Sequence, residues 1–226
     1  MGMGKKGTGM LLIGLVALLA TACGNEGRPP ALIDKEPGDS EPVQAAYTSL
    51  YETSVFLGDS ITEGLAYHDA LNEENVLAGA GKTAQFALEN VEELAKRKPE
   101  HIFIQLGSDD LLWPTDDPKS YSLAYYAQLI DGIKDRLPDA AVTLLSVTPV
   151  TEEATRKEPR YRNIGDYNEG LKELAAREDV GYVDLSPLTA EHADLYDADG
   201  IHFQAEFYPI LLDYLKDELD RRSGAQ

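Results

Sequence analysis

A parallel β-sheet sandwiched between two layers of helices is the fold class the sequence predicts. Two observations predict it. Short apolar runs alternate with segments of helical periodicity from residue 54 to residue 222. The runs are apolar at consecutive positions rather than at every second one, as in "HIFIQLG" (101–107). Alternation of strands with helices belongs to parallel sheets, and continuous apolar runs belong to strands buried on both faces.

Each element follows from its local pattern. "SVFLG" (54–58) is the first expected strand, and "ITEGLAYHDALN" (61–72) a helix. "NVLAG" (75–79) is a second strand, and "TAQFALENVEELAKRK" (83–98) a helix that must stop before Pro99. "HIFIQLG" (101–107) is the third strand, and the helix "SLAYYAQLIDGIKDRL" (122–137) ends at Pro138. "AVTLLSV" (141–147) is the fourth strand, "NIGDYNEGLKELAARE" (163–178) a helix and "VGYVDL" (180–185) the fifth strand. "AEFYPILLDYLKDELDRR" (205–222) closes the chain as a helix, with Pro209 in its first turn or at a kink.

Ligands of such sheets bind beyond the carboxyl ends of the strands. Gly58-Asp59-Ser60 follows the first strand, and Gly79-Ala80-Gly81-Lys82-Thr83 the second. Gly107-Ser108-Asp109-Asp110 follows the third, and Asp199-Gly200-Ile201-His202 comes after the fifth across a short connection. A serine at a strand-to-helix joint stands above the sheet edge, at a helix N-terminus where free N–H groups favour negative charge. It needs a base to become a nucleophile. His202 can be that base, and Asp199 can hold the imidazole in the required tautomer. Glycine turns on neighbouring loops can supply N–H donors to a developing oxyanion. Taken singly, each of these pieces is a common turn or cap. Together they fall on one sheet edge.

"FLGDSITEG" (56–64) with "DGIHF" (199–203) resembles the SGNH, or GDSL-type, hydrolases over residues 54–222. The resemblance implies a three-layer, flavodoxin-like fold with a sheet of about five parallel strands. It also implies Ser60 as nucleophile with Asp199 and His202, and ester hydrolysis without a cofactor. The oxyanion hole it implies comprises the Ser60 N–H, the Gly81 N–H (Gly79 as second choice) and the side chain at 109. That third block departs from the family's Gly-x-Asn-Asp, because Asp109 stands where the asparagine is expected. An ionised aspartate donates no hydrogen bond. Three outcomes are open: a slow enzyme, an Asp109 that stays protonated and donates, or a domain that binds its ligand without cleaving it.

The N-terminus carries two lysines and then "LLIGLVALLA" (11–20), followed by "TAC" ending at Cys23. A basic start, a short apolar run and small residues make an export signal over 1–22. The run is too short to span a membrane as a helix. The stretch resembles a bacterial lipobox, which implies diacylation of Cys23, the chain's single cysteine. Ala20 stands where that pattern usually has leucine. Residues 23–46, rich in Pro, Gly, Glu and Asp, read as a flexible tether, and 47–226 as one hydrolase domain.

The chain of 226 residues carries a formal charge of −20. Loss of residues 1–22 removes two lysines and no acid, which leaves −22. Such acidity argues against nucleic acid as a partner and against electrostatic docking on anionic lipid. Attachment is then expected through the acyl chains, on the extracytoplasmic face, with the domain a monomer. No metal is expected, since His68, His101, His192 and His202 show no paired ligand spacing. "GAGKT" (79–83) lacks the spacing of a phosphate loop. Walls of the substrate pocket are expected from 111–121 and 148–162. An O-acetylated carbohydrate or cell-wall glycan is the first expected substrate, and a lysophospholipid or other small ester the second. Acyl transfer is the alternative reaction.

Overall fold

The computed structural model describes residues 40–223. The export signal, Cys23 and the tether as far as residue 39 lie outside the described residues. Nine helices are described: α1 (Ser40–Leu50), α2 (Ser60–Tyr67), α3 (Ala84–Ala87), α4 (Val91–Arg97), α5 (Pro118–Arg136), α6 (Glu152–Lys157), α7 (Ile164–Arg177), α8 (Ser186–Glu191) and α9 (Phe207–Ser223). Five strands are described: β1 (Ser54–Gly58), β2 (Val76–Ala78), β3 (His101–Gln105), β4 (Ala141–Leu145) and β5 (Gly181–Val183). They form one sheet in the order β2-β1-β3-β4-β5, and every pair is parallel.

Successive strand residues enter opposite layers, so consecutive apolar residues feed two cores. Val55, Leu57, Ile102, Ile104 and Leu144 face α3, α4, α5 and α7. Phe56, Phe103, Leu145 and Val183 face α2, α8 and α9. On that second side Phe56 and Phe103, paired in register, stack with centroids 4.7 Å apart. At about 1.5–3 kcal/mol for each fully buried large side chain, these paired layers fix the strand register.

All five expected strands are present, although β2, β3, β4 and β5 are each shorter than expected. Several helices differ. The helix expected over 61–72 stops at Tyr67. There Asp69 turns left-handed (φ +55°), and Ala70 and Leu71 both donate to the Leu65 carbonyl. The helix expected over 83–98 is broken by a single 3₁₀ turn at Leu88–Asn90. α5 begins four residues before the expected Ser122, because Asp117 caps the Ser120 N–H and Pro118 takes the first helical position. The expected tether, 23–46, is helical from Ser40, so α1 begins within it. Its next turn belongs to the fold, since Tyr47 packs on the α9 side of the core. α6 and α8, of six residues each, were not expected.

Candidate active site

β1 lies between β2 and β3, at the point where the chain reverses its direction of travel across the sheet. A crevice opens at the carboxyl ends of strands at such a point. Ser60 stands there, two residues beyond β1, as the first residue of α2. The joint has no room for a side chain at position 58. A Cβ at Gly58 would lie 2.0 Å from the Thr62 hydroxyl and 2.6 Å from the Gln105 carbonyl. Asp59 caps α2, its Oδ1 accepting from the Ile61 N–H at 3.0 Å. The Ser60 N–H, at the first helical position, has no carbonyl within the helix to meet.

His202 arrives on a loop shaped by its own backbone. Asp197 N–H donates to the His202 carbonyl at 2.8 Å, and Gly200 N–H to the Asp197 carbonyl at 2.9 Å. Gly200 has φ +74°, and a Cβ on it would sit 2.0 Å from the Thr151 hydroxyl. Ser60 Oγ lies 2.8 Å from His202 Nε2, and His202 Nδ1 lies 2.6 Å from Asp199 Oδ2. The other oxygen of Asp199 accepts from the N–H groups of Ile201 (2.8 Å) and His202 (3.0 Å). Partial burial pushes the Asp199 carboxyl up. The hydrogen bonds from His202 and the two backbone donors outweigh that and hold it below the usual aspartate value. A carboxylate on Nδ1 fixes the proton there and leaves Nε2 as the acceptor facing Ser60. Three residues spread over 142 positions thus form one hydrogen-bonded chain.

The other two expected residues are placed less directly. Gly81 is the left-handed residue (φ +75°) of a turn closed by Lys82 N–H to the Gly79 carbonyl, just beyond β2. Apart from its two chain neighbours, no residue comes within 4 Å of where its Cβ would be. No described hydrogen bond ties Gly81 to Ser60 or His202. Lys82 Nζ donates to Asn90 Oδ1 at 2.7 Å and anchors that turn to the break in the expected helix. Asp109 follows β3 and stands half-buried at the head of the 3₁₀ turn Asp110–Leu112, its side chain capping nothing. Removal from water raises its carboxyl above the usual value, and the nearby charge of His202 partly offsets this.

Sequence reasoning overlooked Asp110. Both its oxygens accept from the Ala84 N–H (3.1 and 3.3 Å), and the Ser122 hydroxyl donates to Oδ1 at 2.6 Å. It therefore pins the start of α3, and with it the turn that carries Gly81. Burial pushes it up to about 6 against the pull of those hydrogen bonds. The signal was present: a second acid beside Asp109, after a strand buried on both faces.

A cavity of about 680 Å³ reaches Ser60 and His202. It runs along α2 toward β2, past Tyr67 and His68, to Glu73 and Arg97. The expectation that 111–121 and 148–162 line the pocket is not met, because no residue of either lines this cavity. The aromatic side chains of the first segment are engaged elsewhere, and the second segment acts here through its backbone. Trp113 packs edge-on to Phe86 and stacks with Tyr121. The 148–162 segment braces the His202 loop, with Thr151 N–H donating to the Gly200 carbonyl at 2.9 Å and Tyr196 Oη to the Pro149 carbonyl at 2.6 Å.

A family model described as the GDSL-like lipase/acylhydrolase family matches residues 56–210. No curated protein matches the chain. Among solved structures, a GDSL-like lipase from Bacteroides thetaiotaomicron superposes with a TM-score of 0.62 at 18% identity, over 81% of this chain and 98% of that one. The lipase/acylhydrolase from Enterococcus faecalis does so with a TM-score of 0.58 at 18% identity, over 75% and 96%. An acetylxylan esterase from Geobacillus stearothermophilus gives 0.55 at 20% identity, over 73% and 92%. At these identities the likeness is one of fold.

Proposed function

The chain belongs to the GDSL-like lipase/acylhydrolase family, and we propose that it is a serine ester hydrolase that removes a small acyl group through an acyl-enzyme on Ser60. The observation that carries this reading is the 2.8 Å contact between Ser60 Oγ and His202 Nε2, with Asp199 behind the imidazole. Nε2 takes the hydroxyl proton as Oγ attacks the ester carbonyl. The oxyanion forms beside the Ser60 N–H at the N-terminus of α2, with Gly81 and Asp109 as the further groups facing it. His202 returns the proton to the departing alcohol. Water, activated by the same imidazole, then releases the acid and restores Ser60.

Hydrolysis is favoured over acyl transfer by exposure. The side chains of His202 and Asp199 are 40% and 45% accessible, so water reaches the acyl-enzyme readily. An O-acetylated carbohydrate is the substrate class we put first. The fold it shares with an acetylxylan esterase is compatible with that class. The specific observation favouring a weakened or purely binding protein is Asp109.

A fluorophosphonate probe distinguishes these readings. We expect it to label the wild type and not Ser60→Ala. Absence of labelling in both would favour the binding reading, and equal labelling of both would remove Ser60 from its role. We further propose that Cys23 carries the lipid that holds the domain on the extracytoplasmic face of the membrane. Growth with a fatty-acid analogue should tag the wild type and not Cys23→Ser, whereas a tag on both would end that assignment.

A further inference from the structure

We infer that the cleft along α2 is the leaving-group site, and that it selects an uncharged sugar stacked on Tyr67. The inference rests on the esterase reading above and names its substrate more closely. Ser60, Glu63, Gly64 and Tyr67 stand at positions i, i+3, i+4 and i+7 of one helix, and all four line the cavity. That spacing keeps them on one face. At 1.5 Å per residue, Tyr67 lies roughly 10 Å along the helix axis from the nucleophile. A group on Tyr67 is therefore well beyond the reacting carbonyl, farther than a small acyl group reaches, which leaves the alcohol as the part of the ester to fill it.

The floor of the cleft is aromatic. A Cβ at Gly64 would lie 1.8 Å from the Tyr208 hydroxyl, so the glycine lets that ring lie across the helix. His68 stacks on Tyr208 with centroids 5.1 Å apart, and Tyr67 meets His68 edge-on at 4.9 Å. Tyr67 is 80% exposed, the largest exposure of any large apolar side chain described. An aromatic ring this exposed, perpendicular to its His68 neighbour, suits the flat C–H face of a pyranose. The walls are acidic. Glu63, Glu73 and Asp197 line the cavity, and none is in an ion pair among the described residues. Arg97, the one guanidinium or ammonium lining it, is spent on the carbonyls of Glu74 and Val76 and on Glu93. Carboxylates accept hydrogen bonds from sugar hydroxyls and repel anions. A phosphate-bearing or uronic leaving group is disfavoured here, and a neutral polyol is welcomed.

The test compares kcat/KM on p-nitrophenyl acetate, acetylated xylobiose and an acetylated disaccharide bearing a uronic acid. In Tyr67→Ala, the ratio of the xylobiose value to the p-nitrophenyl value is expected to fall about tenfold, mainly through KM. Tyr67→Phe should keep the wild-type ratio. The wild type should prefer the neutral disaccharide over the uronic one by about tenfold, and Glu63→Gln with Glu73→Gln should narrow that gap. An unmoved ratio in Tyr67→Ala, or failure of the wild type to turn over acetylated xylobiose, overturns the inference while Ser60-dependent cleavage of p-nitrophenyl acetate keeps the esterase reading. Equal cleavage of p-nitrophenyl acetate by wild type and Ser60→Ala overturns both.

Discussion

Asp109→Asn is expected to raise kcat on a short-chain ester by roughly tenfold to 10³-fold, with a smaller change in KM. The residue follows β3, where the family places an amide donor, and it lies close enough to His202 to feel its charge. A carboxylate facing the oxyanion has the wrong sign, while its protonated form can donate one hydrogen bond. Burial shifts Asp109 toward that protonated form. As pH rises the ionised fraction of Asp109 grows and its hydrogen-bond donor is lost. Asparagine supplies a donor at nearly the same volume at every pH. The ratio of variant to wild type should therefore widen as pH increases. Measurement of kcat against pH for both proteins decides it. A variant no faster at any pH would mean that Asp109 does not face the oxyanion.

Asp59→Asn is expected to stabilise the fold, and only once pH has risen. Asp59 is buried beneath Ser60, and removal from water pushes its carboxyl from 3.8 to about 7. The charges of Asp109 and Asp110 push the same way, and the N–H groups of Ile61 and Thr62 oppose them. Between those two values the folded chain holds a proton that the unfolded chain has lost. Stability is thus fully present below the unfolded value and falls as pH rises toward about 7. The loss is on the order of 4 kcal/mol when complete. Asparagine keeps an oxygen for the Ile61 N–H and has nothing to ionise. The melting temperatures of variant and wild type should agree near pH 4 and separate progressively up to pH 7. A gap independent of pH would show that Asp59 is ionised throughout.

The sheet was legible because buried parallel strands are apolar on both faces. "VFLG" and "HIFIQ" needed no partner to be recognised. Ser60 was legible because it follows a strand at a turn. Asp199 and His202 were legible only as a paired Asp-x-x-His, because the connection expected to be short after β5 contains α8 and a 3₁₀ turn at Ala193–Leu195. What escaped depends on distant partners. Asp110 gains its role only from Ala84 N–H and Ser122, which the sequence places 26 and 12 residues away. The segment 148–162 read as a polar wall because its charges were visible and the bond from Thr151 to Gly200 was not. The 3₁₀ break at Leu88–Asn90 is equally hidden, since the pattern around it stays helical.

Ser60 and His202 are supported in different ways. The serine rides on a joint between the central part of the sheet and a packed helix. The histidine sits on a loop tied down by the Thr151–Gly200 and Tyr196–Pro149 hydrogen bonds and one isolated bridge between Tyr196 and Phe203. Phe203, next to the histidine, is buried in the second core and stacks on Phe207 with centroids 3.8 Å apart. The base is therefore held by the same packing that seats α9, and a substitution that loosens this layer is felt at the reacting nitrogen as well as in the melting temperature.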